Sequence, residues 1–283
     1  PNSLRSYLIT LKILNDNEEI KNLNYLKKTK DIMEKINKYA LPTKRNKLTA
    51  LLVVLTAFNK EEFDPAEEFY RKQLEDLNGE YNEYISTHSK SEKQETNWIT
   101  LDELKKIMKK HKKEAKLNPT ISNYQKYLVS ALYLLNPPKR LDFANMKIIK
   151  DRKENNEEDN YLLNLGRNKK YFIFNQFKTK EKHGKKEVLI SKELNSIINN
   201  WLKINTSEHF LLNSRGQAMT PNGLGKYITM IFKGTGKKIT VNLLRNIFIS
   251  ENIDLEAIKK QKQIANEMDH ATNTQQSVYL KKD

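Results

Sequence analysis

The 283 residues contain no cysteine, which excludes disulfides, thiolate metal ligands and a cysteine nucleophile. No apolar run approaches the roughly 20 residues needed to span a bilayer, so no membrane partner is expected. The start, Pro1–Asn–Ser–Leu–Arg5, has neither an initiator methionine nor the apolar core of a signal peptide. It reads as the start of a processed or shortened intracellular protein. Acidic residues are in deficit, with 35 Asp and Glu against 51 Lys and Arg, a formal net charge of +16. That imbalance concerns partners rather than fold, because such a surface draws polyanions toward it. Nucleic acid is favoured over an anionic membrane surface, although heavy use of Asn, Lys and Ile is also what an A/T-rich genome produces.

At this length the chain can bury one large core or two modest ones. A polar stretch, Ser86–Thr–His–Ser–Lys–Ser–Glu–Lys–Gln–Glu–Thr96, has no apolar periodicity and reads as a linker over 87–96. Before it, Tyr25–Tyr39, Lys47–Phe58 and Ala66–Ile85 carry apolar residues at helical spacing, with Leu48, Leu51, Leu52 and Leu55 as one stripe. Residues 1–86 are therefore predicted to form a small helical bundle. After the linker, Thr100 and Glu103 fit a capping box, and a second helix is predicted over Thr120–Leu135, ending at Asn136–Pro137–Pro138. The period then shortens. Tyr161–Leu165, Tyr171–Phe177 and Lys186–Ile190 read as three short strands at about 160–190. Helical spacing returns at Lys192–Ile204, Pro221–Phe232, Val241–Glu251 and Leu255–Glu267, and Thr220–Pro221 is an N-cap followed by proline at the first helical position. The expected fold class is mainly α with a small antiparallel β-sheet, in a helical domain 1–86 and a second domain 97–283. No internal repeat or long low-complexity tract is present.

The residues able to handle a phosphodiester lie in the second half. Arg140 follows the Pro-Pro turn. Lys178 stands at the end of the second strand, in Phe177–Lys178–Thr179–Lys180. Asn242 and Arg245 are three apart near the start of a helix, which puts them on one face. His270 lies nine residues before Tyr279, in a run that begins Asn266–Glu–Met–Asp–His270. Taken singly each has an ordinary explanation: a solvated arginine, one of several hairpin lysines (Lys180 or Lys182 would serve as well), a first-turn amide, a capping histidine, one of thirteen tyrosines. Arg245, after two leucines on an apolar helix, is the least ordinary. The ordered set is more specific than any member.

That order resembles the tyrosine recombinase (phage-integrase-like) family, which shares its catalytic fold with type IB topoisomerases. The resemblance covers roughly residues 96–283, and the helical first half resembles the family's core-binding domain. It implies that Arg140 and Arg245 are the two catalytic arginines, Lys178 the hairpin lysine, Asn242 the occupant of a position usually His, His270 the His/Trp position and Tyr279 the nucleophile. The guanidiniums would grip non-bridging oxygens and stabilise charge in the transition state, and Lys178 would protonate the leaving 5′-oxygen. The product would be a 3′-phosphotyrosyl link, formed without metal, cofactor or ATP. The departures are specific: an amide at 242 donates a hydrogen bond but transfers no proton, Pro-Lys-Arg replaces the usual Gly-x-Arg, Asp142 stands one position early, and Met-Asp replaces Leu-Gly before His270.

The resemblance further implies double-stranded DNA as partner, a homotetramer on DNA that can be monomeric in solution, and a place wherever the target DNA is, cytoplasm or nucleus. The departures resemble divergent members from mobile elements and DNA viruses of eukaryotes. Only Leu280–Lys–Lys–Asp283 follows the nucleophile, against the longer exchanged tails of many members. Lys44, Arg45 and Lys47, at the start of a helix, are the expected phosphate contacts of the first half, joined by Lys180 in the second. The lysines from Lys105 to Lys113 fit a DNA-facing surface or a solvated helix face equally well. Two rival readings remain: a type IB topoisomerase, and a DNA-binding protein of this fold without catalysis.

Overall fold

The computed structural model describes residues 2–281; Pro1 and the last two residues of the Leu280–Asp283 tail lie outside the described residues. By its contacts the chain divides into two compact units, Pro1–Lys90 and Ser91–Asp283. The first consists of α1 (Asn2–Leu14), α2 (Thr29–Asn37), α3 (Leu41–Phe58) and α4 (Asp64–Ser86). The stripe Leu48, Leu51, Leu52 and Leu55 faces inward from α3 and meets Leu14, Ile32, Ile36 and Tyr70 in one core. Tyr70 is fully buried, and its hydroxyl donates to the Leu26 carbonyl at 2.7 Å, as a buried phenol must.

In the second unit, the stretch expected as a linker contains α5 (Glu92–Asn97), started by a reciprocal capping box between Ser91 and Gln94. Two orphan donors are satisfied locally there, so six polar residues form a helix without an apolar face. The Thr100–Glu103 capping box starts α6 (Leu101–Leu117), and α7 (Ile121–Leu134) is buried over most of its length. The sheet follows: β1 (Lys147–Ile149), β2 (Tyr161–Asn164), β3 (Lys170–Phe174), then the short α8 (Lys180–His183) and β4 (Lys186–Leu189). Its order is β1-β2-β3-β4. Only the last three strands are antiparallel; β1 runs parallel to β2. The expected three-stranded antiparallel sheet is thus a four-stranded mixed one. A three-residue strand has no alternation to read, and β1 is held by distant partners: Ile148 N–H donates to the Glu208 carbonyl at 2.7 Å.

Alternation in β2 and β3 buries both sheet faces. Leu162, Phe172 and Phe174 join the main core, while Tyr161, Leu163 and Ile173 form a smaller cluster with Ile149. The chain closes with α9 (Lys192–Ile204), α10 (Pro221–Ile231), α11 (Val241–Asn252), α12 (Leu255–Glu267) and a last turn, Gln275–Tyr279, of π type. Trp201 on α9 is fully buried, its indole N–H donating to the Phe210 carbonyl at 2.9 Å. The fold class is mainly α with one small sheet. Among the described residues no helix is long and apolar enough to cross a membrane.

Candidate active site

Arg140 is placed from the end of α7. The proline pair Pro137–Pro138 cannot continue a helix, and the chain turns back so that the Tyr133 hydroxyl donates to the Arg140 carbonyl at 2.6 Å. Burial pushes the Tyr133 phenol well above its ordinary range, so it stays protonated as a donor. Arg245 comes from α11, whose N-cap Thr240 accepts from the Leu243 N–H at 3.3 Å. Asn242 is exposed in the first turn and Arg245 half-buried one turn later.

Arg140 and Arg245 line one cavity of about 220 Å³ together with Asp142, Lys139, Lys186 and His183. Burial raises the Asp142 carboxyl, opposed by the positive charges of Lys139, Arg140 and Arg245 and by the Arg140 backbone N–H. Arg140 and Asn242 share a second, larger cavity of about 900 Å³, with Asp142, Asn160, Lys226 and Lys238 also on its wall. Arg140 and Asp142 therefore line both cavities, so that of the expected residues Arg140 shares one with Arg245 and the other with Asn242.

The loop between β3 and β4 reaches this place through Asn160. This buried amide (8 % exposed) uses all its hydrogen-bonding capacity. Its Nδ2 donates to the carbonyls of Asp142 and Gln176, each at 2.9 Å. Its Oδ1 accepts from the backbone N–H groups of Asn175 at 2.9 Å and Gln176 at 2.8 Å. One side chain thus ties the backbone just after Arg140 to the start of the loop. Nothing in its sequence setting, Glu157–Glu–Asp–Asn160, marks it out.

Lys178 lies beyond the end of β3 rather than on it, exposed in a turn, and lines neither cavity. Lys180 is half-buried with Nζ 3.5 Å from Gln176 Oε1. The same loop instead offers His183 to the arginine cavity, a residue sequence reasoning missed although it lies in the hairpin expected to carry a proton donor.

His270 and Tyr279 stack on each other, with ring centroids 5.2 Å apart and planes 14° apart. Asp269, at φ +53°, leaves the helical region after α12, a conformation Asp tolerates, and turns the chain toward His270. Both His270 ring nitrogens are buried with no hydrogen-bond partner in the structure, while the Tyr279 side chain is 58 % exposed. Neither residue lines the two cavities around Arg140.

In the first unit, Arg45 donates from Nε to Asn78 Oδ1 at 2.7 Å, and its guanidinium lies 4.0 Å from the Tyr81 ring centre. Lys47, expected as a phosphate contact, is only 6 % exposed, with Nζ 4.3 Å from the Tyr39 ring centre. Its position on the buried side of α3, next to Leu48 and Leu51, turns it inward. Lys44 is half-buried. On α6, Lys106, Lys109, Lys110, Lys112 and Lys113 are exposed. Among the described residues no group of three or more His, Asp or Glu is placed to hold a metal ion.

No protein-family model matches the chain, and no curated protein sequence does. Among solved structures, the crystal structure of XerA recombinase is similar at 12 % identity and a TM-score of 0.37, over 99 % of this chain and 87 % of that chain.

Proposed function

We propose that the chain cleaves and rejoins double-stranded DNA through a 3′-phosphotyrosyl intermediate at Tyr279, acting as a site-specific tyrosine recombinase. The observation that carries this reading is the presence of Arg140 and Arg245 on the wall of one cavity, with Arg140 and Asn242 together on the wall of the next. Two guanidiniums offer paired donors to the non-bridging oxygens of one phosphate and meet the charge that grows there as a fifth oxygen approaches phosphorus. Asn242 adds a neutral donor, which orients the phosphate but leaves proton transfer to another group. Tyr279 is exposed, as a residue that attacks a polymer must be, and its stacking on His270 orders its ring. The net charge of +16 supports binding along the phosphate backbone. Lys44 of the first unit and the exposed lysines of α6 are the proposed backbone contacts. By its resemblance the chain works as a homotetramer on DNA and belongs with recombinases of viral or mobile elements.

The test is a nicked suicide duplex, from which the cleaved fragment diffuses away, incubated with wild type and Tyr279→Phe and resolved on a denaturing gel. A covalent protein–DNA adduct absent from the variant is expected. DNA that is bound by wild type but never joined to it would replace this reading with that of a binding protein. Relaxation of supercoiled plasmid without recombination would favour the topoisomerase alternative.

A further inference from the structure

Lys178, the lysine expected to protonate the leaving strand, is absent from the arginine cavity, whereas His183 of the same loop, which is exposed like Lys178, lines it. We propose that His183 is the general acid that protonates the 5′-oxygen leaving group; the inference rests on the phosphotyrosyl reading above. A phosphate held between Arg140 and Arg245 would occupy the cavity whose wall includes His183. The other cationic candidates on that wall are already engaged with aromatic rings: Lys139 Nζ lies 5.4 Å from the Phe174 ring centre and Lys186 Nζ 5.8 Å from that of Phe177. Among the described residues no hydrogen bond or ion pair engages the His183 ring. Imidazole is also the side chain best suited to give and take back a proton near neutral pH, the duty that the Asn242 amide cannot perform.

The loop holds His183 in place from both ends. At its start, Asn160 grips the backbone of Asn175 and Gln176. At its end, Gly184 takes φ +64° and its N–H closes α8 on the Lys180 carbonyl at 2.7 Å, and the next residue, Lys185, pairs with Glu157. Both anchors, Glu157 and Asn160, belong to the segment between β1 and β2. Lys178 lies between them, in a turn that the Lys180 N–H closes on the Phe177 carbonyl at 3.1 Å.

In the cleavage step a bond forms between Tyr279 Oη and phosphorus while the bond from phosphorus to O5′ breaks. The His183 imidazolium gives its proton to O5′, leaving a 5′-hydroxyl and a neutral imidazole, and the phenolic proton of Tyr279 passes to water. Rejoining reverses the step: neutral His183 takes the proton of the attacking 5′-hydroxyl.

The experiment compares the full chain as wild type, His183→Ala and Lys178→Ala. Each is tested on the nicked duplex that wild type binds best from a randomised pool, and on the same duplex with sulfur in place of the bridging 5′-oxygen. A thiolate leaves without protonation, so loss of a general acid is felt only on the oxygen substrate. His183→Ala is expected to lose on the order of 10²- to 10⁴-fold in adduct formation on oxygen and to stay near the wild-type rate on sulfur. Equal loss on both substrates, or none on oxygen, would overturn the assignment, as would sulfur rescue seen only for Lys178→Ala. Wild type forming no adduct with either substrate would overturn the phosphotyrosyl reading itself.

Discussion

Replacing Asn160 with alanine tests how the arginine cavity is held together. The substitution deletes four hydrogen bonds at once. Gln176 is exposed, so its N–H and C=O can turn to water and are counted at nothing. The Asn175 N–H belongs to a fully buried residue, and the Asp142 C=O to a half-buried one. Leaving a buried polar group unpaired costs about 1–3 kcal/mol each, which gives about 2–6 kcal/mol for the two. Asn160 lines the larger cavity, so water can enter after truncation, and the expected loss is in the lower half of that range. Both tryptophans, Trp98 and Trp201, lie in the second unit. Denaturant unfolding followed by tryptophan fluorescence therefore reports this unit in the intact chain, where a single two-state transition for both units is not assured. Asn160→Asp is the companion variant. Its carboxylate still accepts from the Asn175 and Gln176 N–H groups but turns a negative oxygen toward the two carbonyls that the amide had served. A loss below about 1 kcal/mol for Asn160→Ala, or full stability of Asn160→Asp at neutral pH, would refute the argument that this amide joins the Arg140 backbone to the loop.

His111 gives a pH dependence to the same unit. It is 6 % exposed, and its Nδ1 is hydrogen-bonded to Ser130 Oγ at 2.8 Å. Burial holds its pKa below the ordinary 6.5, with Lys126 and Lys110 adding to the effect and Glu114 and the Ile231 backbone opposing it. Between 6.5 and that lowered value the unfolded chain binds the extra proton and the folded chain does not. Stability is therefore full above about pH 6.5 and declines as the pH falls through this window. Fluorescence-monitored denaturation midpoints at a series of pH values should show the decline, and His111→Gln should flatten it. In the first unit, Lys44→Ala should lower the salt dependence of DNA binding by about one unit of slope. Lys47→Met should leave that slope unchanged, because the Lys47 cation already rests on Tyr39. Equal slopes for Lys44→Ala and wild type would remove Lys44 from the interface.

The parts of this protein that its sequence determined by itself are those governed by neighbours in the chain. The Leu48–Leu55 stripe, the Thr100–Glu103 capping box and the Thr220–Pro221 start each work through residues one turn apart, so spacing alone reveals them. The alternation of β2 and β3 is local in the same way. Tertiary structure decided what depends on distant partners. β1 exists because β2 and the Glu208–His209 segment pair with it, and its three residues carry no pattern of their own. Lys44, Arg45 and Lys47 look alike in the chain, yet packing against α4 and Tyr39 engages two of them. The hairpin lysines Lys178, Lys180 and Lys182 could be read as candidates from the sequence. That His183 of the same loop lines the cavity with Arg140 and Arg245 could not, because it depends on how the loop is tied to the distant residues Asn160 and Glu157.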